Sequence, residues 1–511
     1  MGTIRPTPHC GTGTSGSGTA QPVSISGPAS PFGEILISDL NPSFQIDFID
    51  SLVNISTVNT YNIGAGSGIT TDENDVVVSS GTDANGFARV MSKRVVSYQP
   101  GQGTVLRFTA RYTTPDPNVN QLAGLYNGVS AYKFGYNGET FGILYRRKAV
   151  REIRALTITV GSSSVANATI TLDGETKLIP LTGGGSTTKT AYELSKTSFY
   201  NIADGWKTNV VGNVVYFIAL NPKAYSGTFS FSHGTAVGSF STIASGESPT
   251  ETFISQEDWN LDKMDGTGDS RMKFNPLNSN VYEIKYQYLG YGDAIFGIEN
   301  NSSSNFIPVH IIKNAGNTDY PVIRNPIFFM DWSVENTGIT ATGCSLYGAS
   351  AGGFIAGVKK YLGPKFAYSN TKTYSSTGLI PVFSIKSGQV FNGLASTTPI
   401  RFLRISIGCD ITKPAEILIY SNPVLDTANF TAYNSSASRA EIDTTATSAT
   451  VSGASCRLIA AYSIGKSTET TIDISSEDFD LQIGDIFTFC INSHNGSANQ
   501  DISISVSWVE G

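Results

Sequence analysis

Charge is scarce in this chain of 511 residues: Asp, Glu, Lys and Arg make up 15% of it, against roughly 25% in an ordinary soluble protein. Long surface helices draw on Glu, Lys, Arg, Ala and Leu for propensity and i to i+4 pairs. No segment supplies them for more than about four turns, which excludes a mostly helical protein. Histidine is scarcer still. His9, His233, His310 and His494 stand in separate segments, and this starves the acid–base, zinc and triad chemistry that leans on imidazole. The cysteines, Cys10, Cys344, Cys409, Cys456 and Cys490, are widely scattered with no CxxC spacing. Disulfide frameworks and metal sites need paired spacing, so they read as free thiols in a reducing compartment. No window approaches ~18 consecutive apolar residues, and the opening MGTIRPTPHCGTGTSGSG lacks the apolar core of a secretory signal. Neither a membrane span nor Sec export is expected. Basic residues are in deficit: 34 Lys+Arg against 41 Asp+Glu give a net charge of −7 and a pI near 5.3. Without a global basic field, nucleic-acid binding is not expected as the main task.

What is abundant is Gly (52), Tyr (23) and Phe (27), with Ser and Thr dense throughout, the profile of turn-rich β structure. The length suggests roughly three domains. Residues 1–32 are Gly, Ser, Thr and Pro with almost no large apolar side chain. They cannot offset their own ordering entropy and read as an extended arm that needs a neighbour to hold it. From residue 33 short apolar alternations separated by turn signals predict strands, among them Gly33–Ile37, Phe44–Phe48, Asn74–Val78 and Thr104–Tyr112. At 151 the rhythm changes. Arg154–Val160 and Ala168–Leu181 read as two strands, Thr187–Trp206 as the one helical run, and Val214–Ala219 and Gly227–Ser232 as two more strands. The first rhythm resumes at Thr252, with a hairpin of Val281–Gly290 and Ala294–Glu299. Strong alternation in Arg401–Ile407 and Asp501–Glu510 marks a last β region.

The predicted fold is therefore mainly β: jelly-roll or β-sandwich domains with a small β-β-α-β-β insertion module. Residues 33–150 and 252–377 form a discontinuous sandwich, 151–251 the inserted module, and 378–511 a C-terminal sandwich.

Few groupings could carry chemistry. Gly348-Ala349-Ser350-Ala351-Gly352 matches the G-x-S-x-G nucleophile elbow, but that turn needs a buried strand before it and a helix after it, and neither flank offers them. Chance matches abound in a chain this rich in Gly, so a Ser hydrolase at Ser350 is kept only as a remote alternative. Asp262, Asp265 and Asp269 sit in WNLDKMDGTGDS, where a hard cation is a weak possibility. The spacing is not that of an EF-hand, and turn formation by Asp-Gly is the better reading. Tyr126, Tyr132, Tyr136 and Tyr145, near Asn127 and Asn137, are candidates for stacking on sugar rings, although packing accounts for most such aromatics. His233 reads as a turn residue. No catalytic residue and no cofactor is expected.

Three segments carry a resemblance: SKRVVSYQPGQGTVLRFTARY (Ser92–Tyr112), GLYNGVSAYKFGYNGETFGILYRR (Gly124–Arg147) and the stretch Trp259–Glu299, in which Asp-Gly-Thr-Gly is followed by Ile-x-Tyr-x-Tyr-Leu-Gly-x-Gly. Together with the ending Val-Ser-Trp-Val-Glu-Gly, they resemble virion structural proteins of large double-stranded DNA viruses of algae and protists, with relatives in aquatic tailed phages. The resemblance implies a non-enzymatic component of the particle. It would be a penton-like capsid vertex or minor capsid protein, found in the virion and assembled in the host cytoplasm. Its partners would be copies of itself in a cyclic homo-oligomer and other capsid proteins. The alternative is a spike or tail appendage that recognises a receptor or host surface glycans.

Overall fold

The computed structural model describes residues 40–510 except 50–56, 97, 100, 322, 324, 358–362, 375–377, 397, 411–414, 453–455, 466–468, 476–478 and 494–499. The arm over 1–32, the strand at Gly33–Ile37, His9, Cys10 and His494 lie outside the described residues.

Two large antiparallel sheets form the first sandwich. One is ordered Phe306–Ile312, Ala294–Glu299, Asn280–Tyr286, Gly103–Tyr112, Ser345–Gly348, Asp75–Ser79 and Gly68–Asp72. Ser350–Ala356 also pairs with Gly103–Tyr112 and carries Leu40–Asp47 on its other side. The facing sheet runs Thr250–Ser255, Thr140–Arg147, Ala131–Asn137, Val119–Tyr126, Phe329–Asn336, Phe87–Ser92 and Val58–Ile63. Alternation along Gly103–Tyr112 turns Leu106, Phe108, Ala110 and Tyr112 into the core, as a period of two requires. The expected hairpin is present, with Ile284 opposite Phe296. On its other flank Tyr282 opposes Phe108, the rings stacked at 5.2 Å. Tyr112 links the layers by donating its hydroxyl to Phe134 O at 3.0 Å.

The chain leaves this sandwich after Arg147 and returns at Thr250, directly opposite it in the sheet. In between stands a module with its own core around Leu156, Ile170, Trp206 and Phe217. It holds more strands than the β-β-α-β-β expectation. Ala168–Leu181 is a hairpin of Ala166–Leu172 and Glu175–Leu181, bent at Asp173-Gly174 with both residues at positive φ (49° and 89°), the conformation an Asp-Gly turn favours. Trp206–Val211 and Val237–Ala244 are additional strands, each pairing antiparallel within a four-stranded sheet. Both leave several positions partly or wholly in solvent, which blurs their alternation. The helix, α1, covers only Thr187–Ser195. Ser186 caps its first turn, accepting from Lys189 N at 3.3 Å. Beyond it, Phe199 bridges to Trp206, and Ala203, Asp204 and Gly205 turn left-handed, which no helix can pass through.

A second sandwich completes the described chain. One sheet contains Lys365–Tyr374, Gln500–Glu510, Ile400–Asp410 and Glu469–Asp473, with Asp480–Leu481 at its end. The other contains Thr431–Ala432, Ala440–Asp443, Gly378–Ser387, Ile486–Ser493, Ala415–Ser421 and Arg457–Ile464. Its core stacks Phe383 on Phe489 at 4.7 Å and buries Trp508. Lys365–Tyr374 lies within 252–377, the range assigned to the first sandwich, yet it pairs along its whole length with Gln500–Glu510. Both sandwiches use the same period, so alternation alone does not mark where one gives way to the other. Leu425, Ala428 and Phe430 of the C-terminal region enter the core of the inserted module.

Candidate functional site

Ser350 lies within the strand Ser350–Ala356, opposite Asp47, with a strand rather than a helix after it. The amides of Ala349 and Ser350 donate to Thr109 Oγ1 at 2.8 and 3.0 Å. The small residues of the motif serve packing: a Cβ on Gly348 would stand 2.5 Å from Trp332 Nε1, which donates to Thr109 O. The nucleophile-elbow geometry is thus not formed.

The acidic trio serves a turn. Asp262 is buried and accepts from Met264 N at 2.8 Å and Ser270 N at 2.9 Å, one oxygen each. Asp265 accepts from the amide and hydroxyl of Thr267, bonds that hold its carboxyl below the usual range. Asp269 is exposed, and among the described residues no His, Cys, Asp and Glu converge as metal ligands would. His233 closes a turn, its Nδ1 accepting from Thr235 N and Ala236 N. Among the described residues Cys344, Cys409, Cys456 and Cys490 form no disulfide.

The four tyrosines proposed for sugar stacking are at most 7% exposed. Tyr132 stacks on Tyr145 at 5.2 Å inside the core, so none is a platform for a sugar. Tyr126 belongs to a buried charged cluster instead. Asp331, wholly buried, pairs with Arg89 at 2.6 Å and with Lys133, which also donates to Ser333 Oγ. The Arg89 guanidinium lies 4.3 Å from the Tyr126 ring centroid. Burial pushes the Tyr126 phenol up, but Arg89, Arg146 and Arg151 outweigh it and bring it to about 8.

Nearby, a cleft of about 280 Å³ opens where the first sandwich, the inserted module and the C-terminal sandwich meet. The first contributes Tyr61 and Lys93, the module Arg151, Tyr200, Trp206 and Lys207, and the C-terminal region Ser396, Gln482 and Asp485. Tyr61 and Tyr200 meet edge-on at 5.4 Å. The Lys207 ammonium lies 5.9 Å from the Tyr61 ring centroid. Burial, reinforced by Arg151, lowers the affinity of Lys207 for its proton, and Tyr200, Tyr126 and Asp485 oppose this. Burial likewise raises Asp485, against Asn422, Lys93, Arg457 and Lys207. Arg151 Nε, Ser396 Oγ and Gln482 Oε1 are buried without a hydrogen-bond partner among the described residues. No motif announces this site. Its residues come from segments hundreds of positions apart, and the one advance signal was the excess of Tyr.

No family model and no curated protein matches the sequence. Similar solved structures include a family 16 glycosyl hydrolase from Mycobacterium smegmatis (6% identity, TM-score 0.26, 61% of this chain and 100% of that one). The Emp47p carbohydrate recognition domain matches at 10% identity and TM-score 0.25, over 62% of this chain and 97% of its own. Arcelin-5, a lectin-like defense protein from Phaseolus vulgaris, matches at 8% identity and TM-score 0.23, over 61% of this chain and 97% of its own. With TM-scores this low, these likenesses carry no argument about this chain. No described helix is long and apolar enough to cross a membrane.

Proposed function

We propose that this chain is a non-enzymatic structural component of a virus particle, a penton-like vertex or minor capsid subunit that assembles with copies of itself and with neighbouring shell proteins. The sequence resemblance suggests the role, and one structural observation supports it: the inserted module carries an exposed apolar tip. Val160 and Val237 face each other across paired strands at 49% and 54% exposure, and Val165, in the loop that follows Val160, is 81% exposed. Apolar side chains grouped in this way mark contact surfaces more often than scattered single ones do. Light scattering coupled to size exclusion should find a discrete cyclic oligomer, and Val165→Asp with Val237→Asp should shift it toward monomer. A wild-type chain that stays monomeric at every concentration tested would sink the reading.

The second reading, a spike or tail appendage that recognises surface glycans, is favoured by the junction cleft. It combines aromatic faces, amide and hydroxyl groups and charge in a concave site, the mixture that holds sugars. A glycan array probed with the full chain and with an Arg151→Gln, Lys207→Gln double variant tests it. Glycan signals that appear with the wild type and fade with the variant support it, and a blank wild-type array removes it.

A further inference from the structure

We infer that the junction cleft takes one acidic sugar unit, its carboxylate or sulfate held between Arg151 and Lys207 and its hydroxyls meeting Gln482 and Ser396. The inference rests on the glycan-recognition reading and narrows it to anionic saccharides. It begins from charge. Lys93, Arg151 and Lys207 line the cleft, and Asp485 is the single acidic residue among its lining. Among the described residues neither the Arg151 guanidinium nor the Lys207 ammonium forms an ion pair or hydrogen bond, in contrast to the cations of the neighbouring cluster, which share Asp331. Three cations facing one carboxylate leave the cleft with an excess of partly buried positive charge, which is costly and draws an anion.

Arg151 is also braced. A Cβ on Gly128 would lie 1.6 Å from its Nη2, so the chain gives up a side chain at 128, where φ is 90°, to seat the guanidinium. A planar fork fixed in this way suits the geometry of a carboxylate or sulfate. Across the cleft, the buried Ser396 Oγ and Gln482 Oε1 have no partner of their own among the described residues, and ring hydroxyls would meet both. A volume of about 280 Å³ is at the small end of ligand sites and matches a single sugar rather than a chain. The half-buried ring of Tyr61 suits the C–H side of a pyranose.

The test is calorimetric titration of the full chain with N-acetylneuraminic acid, glucuronic acid, galactose 6-sulfate, galactose and inorganic sulfate. At least one acidic sugar is expected to bind about tenfold or more tighter than galactose and than inorganic sulfate, and Arg151→Gln and Lys207→Gln should each weaken it by about tenfold. Circular dichroism checks folding. Should Arg151→Gln fail to fold, Lys207→Gln, which changes a partly exposed side chain, carries the comparison. The carboxylate and sulfate probes distinguish the two sources of the anion. Inorganic sulfate binding as tightly as the best sugar overturns the saccharide assignment, and acidic sugars bound equally by both variants overturn the location. Neutral glycans bound in preference to acidic ones would overturn this inference while leaving the glycan reading intact. Binding of no sugar at all would end both.

Discussion

Tyr126 concentrates the unusual electrostatics of the first sandwich: a phenol 3% exposed, set among Arg89, Lys133 and Arg146. Its pKa of about 8 lies below the unfolded value near 10. Between those values the unfolded chain still holds the proton that the folded chain has released. This contribution to stability therefore grows as pH rises through the window and is lost as pH falls through 8. The difference in denaturation midpoint between wild type and Tyr126→Phe should widen from pH 7 to pH 9.5, and absorbance near 295 nm should reveal a phenolate forming near pH 8 that the variant lacks. An unchanged difference would contradict the assignment. At this scale sequence says little. That Tyr126 is buried follows from its strand, but that Arg89, Lys133 and Arg146, from three different strands, surround it depends on tertiary pairing that no local pattern encodes. Ser350 and the Asp262 group show the converse: residue types suited to chemistry are also those that close turns and leave room for a neighbouring ring, and the flanks and spacing of both already pointed to that plainer role.

Among elements, the pair Gly348 and Ser350 separates packing from catalysis. Gly348→Ala drives a Cβ into the Trp332 indole, which has little room to retreat because its Nε1 donates to Thr109 O at 3.1 Å. It should cost about 1–3 kcal/mol. Ser350→Ala, at a partly buried position in the same edge-to-centre stretch of sheet, should change stability by less than about 0.5 kcal/mol. Urea denaturation of the two variants measures both, and the reverse order would mean that the serine has a role the strand geometry does not explain. Strands with one buried face were legible to within a few residues: Thr104–Tyr112 was expected where Gly103–Tyr112 is found, and Asp501–Glu510 where Gln500–Glu510 is found. Elements that failed this standard have a common cause. Val237–Ala244 is largely exposed, and the run after Ser195 contains helix-compatible residues whose course is fixed by the Phe199–Trp206 bridge. Solvent and tertiary contact, rather than local propensity, decided both.

Considered as one body, the inserted module is tied to the C-terminal sandwich as well as to the one it interrupts. Lys386 Nζ donates to Val210 O at 2.7 Å and pairs with Glu441, which accepts from Asn209 Nδ2 at 2.8 Å. Leu425 and Phe430 fill the core of the module. Replacing residues 151–249 by a short linker should be easy to close, because Arg147 and Thr250 stand directly opposite each other in the sheet. It should nonetheless destabilise the C-terminal sandwich by about 3 kcal/mol or more, since buried apolar and charged groups lose their cover. Calorimetry would register this as a lowered transition. Retention of the wild-type melting profile would show the contact to be weak. The sequence revealed the interruption through its change of rhythm, but not this attachment, because the residues that make it are ordinary strand and loop positions. The cleft was hidden for the same reason: it exists only where three separately encoded modules meet.

The pairing of Leu40–Asp47 with Ser350–Ala356 also sets a timetable for synthesis. The earliest described strand has its partner roughly 300 residues later, so at ribosomal rates it waits on the order of 15–60 s before its place in the sheet exists. Until then the nascent sheet presents an open edge, the state most prone to wrong partners. The strands of the module, which close mostly among themselves, can pair during that interval, but its core is filled only once Leu425 and Phe430 have been made, so the interrupted sandwich can close before the module that interrupts it is complete.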